Sequence, residues 1–129
     1  YSKQMNVTVK EIEVESENEK LMNKALNFIE SNLTNPQLSV EELSNYIGMS
    51  RGSLYTKVLE MTGETPVEFI RSIKLKKAAN LLEKSDLNVA QICYAVGFST
   101  PNYFARAFKA KYNMLPSEFI NLKRNKNNS

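Results

Sequence analysis

Histidine is absent from this 129-residue chain, and cysteine occurs once, at Cys93. Without histidine the commonest general base is missing. A single thiol allows no intrachain disulfide and fits a reducing compartment. No apolar run approaches the roughly 18–20 residues of a membrane span, and nothing resembles a signal peptide. No phosphate-binding glycine loop, zinc-ligand spacing or carboxylate pair suited to a cleft is written. Catalytic residues, a metal site, cofactors and membrane contact are therefore all expected to be none. Asn6-Val7-Thr8 and Asn32-Leu33-Thr34 match the glycosylation triplet, but with no secretion feature both read as chance matches. Tyr1 is not a start methionine, so the chain is expected to be a fragment of something longer.

The composition is 42% hydrophobic and 24% charged, which fits a soluble globular protein rather than a disordered one. The net charge of +3 conceals an asymmetry. Residues 1–19 carry −3 and residues 20–70 carry −2, whereas residues 71–129, with eleven bases and three acids, carry +8. A basic second half suggests a polyanionic partner, although a solvated lysine surface would look the same from charge alone.

The spacing of apolar residues predicts an all-α chain of about seven helices with a short extended N-terminal linker. NVTVKEIEVE alternates imperfectly, so residues 1–18 read as a linker or the tail of a preceding domain, with a short strand as the other reading. A first helix from about Glu19 to Asn32 presents Leu21, Ala25, Phe28, Ile29 and Leu33 on one face. Ser39 and Glu42 form a capping-box pattern for a second helix, which Gly48 ends. Ser50 caps a third, ended by Gly63. Thr65-Pro66 starts a long fourth helix to about Lys84, with Phe69, Ile73, Ala78, Leu81 and Leu82 inward. Asn88 and Gln91 write another box for a fifth helix, which Gly97 ends. Thr100-Pro101 starts the sixth, and Leu115-Pro116 a short seventh. The expected units are residues 19–65, a bridging helix 66–84, residues 85–124, and a disordered tail 125–129.

The chain repeats itself. Val40, Leu43, Ile47, Gly48 and Met49 correspond to Val89, Ile92, Val96, Gly97 and Phe98; Ser50, Leu54 and Val58 correspond to Thr100, Phe104 and Phe108 after a one-residue insertion. Ser44 and Cys93 also align, and a small residue there lets two helices approach. Each copy is a short helix, a glycine turn and a second, capped helix, the sequence form of a helix-turn-helix. Such a unit offers its second helix to the DNA major groove. With Leu54 and Val58 inward, Arg51, Gly52, Ser53, Tyr55, Thr56 and Lys57 remain outward in the first copy. With Phe104 and Phe108 inward, Pro101, Asn102, Tyr103, Ala105, Arg106 and Lys109 remain outward in the second, after the capping Thr100. Arginine can grip guanine, and asparagine adenine, through two hydrogen bonds each. Arg106 reads as a base reader or a surface arginine, and Asn102 as a DNA contact or a solvated first-turn residue. Arg71 and Lys74 share a face of the fourth helix and are counted with the DNA-facing set.

The phrases SVEELSNYIGMSRGSLYTKV, PVEFIRSIKLKKAANLL and VAQICYAVGFSTPNYFARAFKAKYNMLPSEF resemble the DNA-binding domain of AraC/XylS-type transcription regulators. The resemblance covers about Glu19 to Leu122. It implies two helix-turn-helix subdomains bridged by a long helix, bound to successive major grooves on one face of the duplex. It also implies transcription regulation, activation being the expected sense. The family's base-contacting positions fall on Gly52, Tyr55 and Thr56 in the first unit and on Pro101, Asn102, Ala105 and Arg106 in the second. Gly52 offers no side chain, and Thr56 stands where members often place arginine, with Lys57 nearby to supply the charge. Leu115 replaces a small capping residue, so a looser start of the last helix is expected. The wording around Leu54-Tyr55 and the acidic EIEVESENEK lead-in look like output domains of hybrid two-component regulators. Implied partners are double-stranded DNA, RNA polymerase, and a second copy paired through an upstream domain. The implied location is cytoplasmic, as for the cytoplasmic part of an inner-membrane sensor protein. The competing class is a helical protein–protein adaptor without DNA binding.

Overall fold

The computed structural model describes the backbone of residues 2–128 and the side chains of residues 17–125. Seven helices follow in order: α1 (Ser2–Ser31), α2 (Val40–Ile47), α3 (Arg51–Thr62), α4 (Pro66–Lys84), α5 (Val89–Ala95), α6 (Pro101–Tyr112) and α7 (Pro116–Asn128). No strand occurs among the described residues.

The helix starts form where short polar side chains replace the missing intrahelical acceptors. The amide of Glu42 donates to Ser39 Oγ at 3.2 Å, that of Ser53 to Ser50 Oγ at 3.1 Å, and that of Tyr103 to Thr100 Oγ1 at 3.2 Å. Thr65 with Glu68, and Asn88 with Gln91, close both halves of a capping box. At α2 the structure forms the Ser39 half. At α7 it forms the other half, the Leu115 amide donating to Glu118 Oε1 at 2.9 Å. Leucine has no acceptor, so the glutamate alone secures that start.

Two expectations at the chain ends are corrected. Residues 2–18 are not an extended linker but continue α1 without a break. The NVTV alternation is short, and the glutamate- and lysine-rich run after it favours helix. A lone strand would leave its amides unpaired, whereas a helix satisfies its own. The side chains of residues 1–16 lie outside the described residues. At the other end, residues 125–128 belong to α7 rather than to a tail; Ser129 lies outside the described residues.

Two cores form, and α4 belongs to both. Its first half contributes Phe69, Ile70 and Ile73 to a cluster with Ala25, Ile29, Leu33, Leu43, Leu54 and Val58. Its second half contributes Leu75, Ala78 and Leu82 to a cluster with Ile92, Cys93, Val96, Phe98, Phe104 and Phe108. The aromatic rings of the second cluster form a chain, with Phe104 and Phe108 centroids 5.8 Å apart and Phe108 and Phe119 centroids 5.4 Å apart, both edge-on. From α7, Arg124 reaches the C-terminal end of α4. Its Nε donates to the Leu82 carbonyl at 2.8 Å, and one terminal nitrogen donates to Leu81 and Leu87 carbonyls at 3.3 and 2.7 Å. A cation at that end also meets the negative pole of the helix dipole.

The turns of the repeat share a hydrogen bond and differ in surroundings. The amide of Met49 donates to the Ser44 carbonyl at 3.1 Å, and that of Phe98 to the Cys93 carbonyl at 3.0 Å. Gly48 and Gly97 both take the left-handed conformation, at φ 83° and 90°. Ser44 and Cys93 are both buried, and burial holds the Cys93 thiol above the usual thiol range. A Cβ on Gly48 would meet nothing within 4 Å, but one on Gly97 would overlap the Leu33 carbonyl oxygen and lie 2.9 Å from its carbon. Gly48→Ala should therefore cost about 1–2 kcal/mol, the left-handed penalty alone. Gly97→Ala adds backbone overpacking and should cost about 2–5 kcal/mol. Urea unfolding of the two variants checks the order; equal costs would contradict the crowding at Gly97.

Candidate nucleic-acid interface

α3 and α6 each bury two apolar anchors and turn the rest outward. Leu54, Phe104 and Phe108 are 0% exposed and Val58 4%, so the register of both helices is fixed by their cores. On α3, Arg51, Gly52, Ser53, Tyr55 and Thr56 are exposed and Lys57 is half-buried. On α6, Pro101, Asn102, Tyr103, Arg106 and Lys109 are exposed and Ala105 is half-buried. Asn102 and Arg106 are four residues apart and so lie on one face, one turn from each other. The alanines on either side of Arg106 leave the guanidinium sterically free.

Between the two units lies a cleft of about 390 Å³, lined by Val40 and Ser39 at the start of α2, Val67 and Arg71 of α4, and Phe98 and Tyr103 of the second unit. A neighbouring cleft of about 460 Å³ shares Val40 and Val67 and extends to Arg51, Gly52 and Tyr55. Together the two clefts border residues from the start of α3 to Tyr103 of α6. Val40 and Val67 were not anticipated as part of this surface. Val67, 59% exposed, follows the helix-starting proline, and that exposed position was the available signal.

Lys74, counted by sequence with the DNA-facing residues, also has partners within the protein. It lines the cleft beside Arg71, but its ammonium donates to the Gly97 carbonyl at 3.3 Å and lies 5.9 Å from the Phe98 ring centroid. Burial pushes its pKa below the ordinary lysine value, Tyr103 acting in the opposite direction. Thr100 is likewise engaged as the cap of α6, and Ser53 Oγ accepts a hydrogen bond from the Ser50 hydroxyl at 3.0 Å. Tyr103 stacks edge-on against Phe98, centroids 5.5 Å apart, and the residue as a whole is still 41% exposed. Arg71 remains at the cleft wall, close enough to Glu68 to help hold that carboxyl below its usual range after the stronger hydrogen bonds from Thr65. Among the described residues no group of three or more potential ligands could hold a metal ion. Nor is any described helix long and apolar enough to cross a membrane.

Two like helical pairs, each holding a polar helix out from an apolar core and joined by one shared helix, define the class of double helix-turn-helix proteins. Comparison with known proteins agrees: a family described as "Helix-turn-helix domain" matches residues 43–121. The chain belongs to this family, the AraC type of DNA-binding transcription regulator. A protein of Formosa agariphila named histidine kinase P4 is 41% identical over 121 residues, which are 94% of this chain and 9% of that protein. The structure of an AraC-type transcriptional regulator from Chromobacterium violaceum is 25% identical with a TM-score of 0.76, over 84% of this chain and 96% of that one. The C-terminal domain of the two-component response regulator yesN from Fusobacterium nucleatum is 28% identical with a TM-score of 0.66, over 74% and 93%. The chain thus spans less than a tenth of the Formosa protein, but nearly all of each solved domain.

Because the Thr100 side chain is the α6 cap, Thr100→Ala should lower stability by about 1 kcal/mol, and Thr100→Gly by only a few tenths. Thermal unfolding of both variants checks this. Unchanged stability in Thr100→Ala would free the hydroxyl for another role.

Proposed function

We propose that this chain binds double-stranded DNA sequence-specifically, as the regulatory output of a longer protein, with α3 and α6 entering successive major grooves on one face of the duplex. One observation carries the reading. Two like units, held on one bridging helix, expose recognition helices with different polar sets. An adaptor for protein would have no reason to hold out two polar helices beside clefts lined by Arg51 and Arg71. The reading assigns base contact to Arg106 and Asn102, with Tyr55, Thr56 and Lys57 serving the first unit. Pro101 and Ala105 pack against the groove wall, and Arg51, Arg71, Tyr103 and Lys109 meet the backbone. Since the two sets differ, one chain should read two unlike half-elements about one helical turn apart.

The same reading places residues 1–18 as the join to an upstream signalling module, which would pair two copies and raise affinity through effective concentration. The small share of the Formosa protein that is matched, and the response-regulator origin of the Fusobacterium domain, support this hybrid two-component arrangement. Activation through RNA polymerase and a cytoplasmic location follow from it.

Duplex binding should depend steeply on salt. If five to seven phosphates are neutralised, the log–log slope is about −4 to −6; equal affinity at low and high salt would refute the reading. Arg106→Ala should cost about 1–3 kcal/mol of binding and relax preference at one base position, a guanine, whereas Lys57→Ala should weaken all sequences alike and flatten the slope by about one unit. Affinities of both variants for a panel of singly substituted sites separate the roles. A uniform loss in Arg106→Ala would make it a phosphate contact.

A further inference from the structure

We propose that Lys74 is a positioning residue for the recognition of paired half-elements: by holding the Gly97 turn onto α4, it sets the distance and angle between α3 and α6. This rests on the reading of the chain as a duplex-DNA binder.

Lys74 stands on α4 between Ile73, which belongs to the first core, and Leu75, which belongs to the second. Its side chain therefore leaves the bridging helix at the boundary between the two units. The ammonium bonds to a carbonyl 23 residues away, in the turn of the second unit, and faces the ring of Phe98 next to it. That same turn meets the first unit, because Gly97 lies directly on the Leu33 carbonyl. Beside this contact the units are parted by the open cleft, which leaves room for one to tilt against the other. α6 begins four residues after Gly97, so a tilt at the turn swings the recognition helix as a rigid rod about 18 Å long. A lysine is suited to the task. Its flexible stem spans the cleft wall, and its partly desolvated charge strengthens the bond to the carbonyl. A positively charged group counted with the DNA-facing residues thus has an acceptor in the chain's own backbone.

The test uses sites carrying the two half-elements at their best spacing and one base pair closer or farther. One base pair shifts the second element by about 3.4 Å. The wild-type chain should lose roughly 5- to 150-fold at the wrong spacings, the worth of one bidentate base contact. Lys74→Met keeps the stem and removes the donor. It should reduce that penalty to less than about threefold, and because the penalty is a ratio between spacings, a uniform loss of affinity from the missing charge does not alter it. Lys74→Arg should restore the penalty. In parallel, spin labels at Glu60→Cys and Lys111→Cys, in a Cys93→Ser background and without DNA, should give a narrow distance distribution that broadens in Lys74→Met and narrows again in Lys74→Arg. If Lys74→Met does not fold, Lys74→Gln takes its place. An unchanged spacing penalty with an unchanged distribution overturns the proposal. A lost penalty with an unchanged distribution makes Lys74 a DNA contact and overturns it equally. Failure of the wild-type chain to bind any duplex would instead sink the underlying reading, while the label distances still report on the clasp.

Discussion

The approach of the Gly97 backbone to the Leu33 carbonyl is the constraint on which the arrangement of this molecule turns. Each unit has its own apolar core, and both cores draw on α4. α4, with 19 residues, is a rod about 28 Å long. Successive major-groove entries on one face of B-DNA lie roughly 34–36 Å apart. A bridging rod of that length carries the two recognition helices to the right scale of separation, but a rod alone leaves the second unit free to pivot about it. The seating of Gly97 on Leu33 narrows that freedom, and it is available only to a residue without a Cβ. Glycine is thus required twice over at position 97, for its left-handed φ and for its thinness. Gly48 is required once.

This difference shows how a duplicated element acquires unlike duties. Both turns close with the same long hydrogen bond, from Met49 to Ser44 and from Phe98 to Cys93. Both place a small buried residue where α2 or α5 meets its partner helix. Packing inside each unit has kept those features in step. What has diverged lies outside the units: the first turn faces solvent, while the second is built into the junction.

Much of the fold was legible because its signals are local. Caps at Ser50, Thr65, Asn88 and Thr100, left-handed glycines and the apolar period of α4 act over three or four residues, and each was written in the chain. The exposed faces of α3 and α6 followed from Leu54, Val58, Phe104 and Phe108 by the same periodicity. Three features were not legible, each for a physical reason. Lys74 and Arg124 bond to carbonyls 23 to 43 residues away, and no local pattern encodes a partner at that range. The continuation of α1 back to Ser2 was obscured by a brief valine alternation that mimics a strand.

Charge illustrates the same limit in a way that bears on function. The +8 of residues 71–129 reads as a footprint for a polyanion, yet the fold divides those bases among several tasks. Arg124 neutralises the end of α4, and Lys74 holds the junction. Lys76 and Lys77 line a different cleft, with Glu30 and Glu64. Arg71 lines the cleft between the units, and Arg106 and Lys109 are exposed on α6. A polyanion responds to the local potential within about a Debye length, roughly 8–10 Å at physiological salt, and not to the sum over a chain. The interface is therefore less basic than the composition implies. Discrimination must lean more on the few side chains that reach bases, and on the fixed separation of the helices that carry them, than on bulk attraction. A clasp that secures this separation is worth more to such a surface than one further exposed lysine.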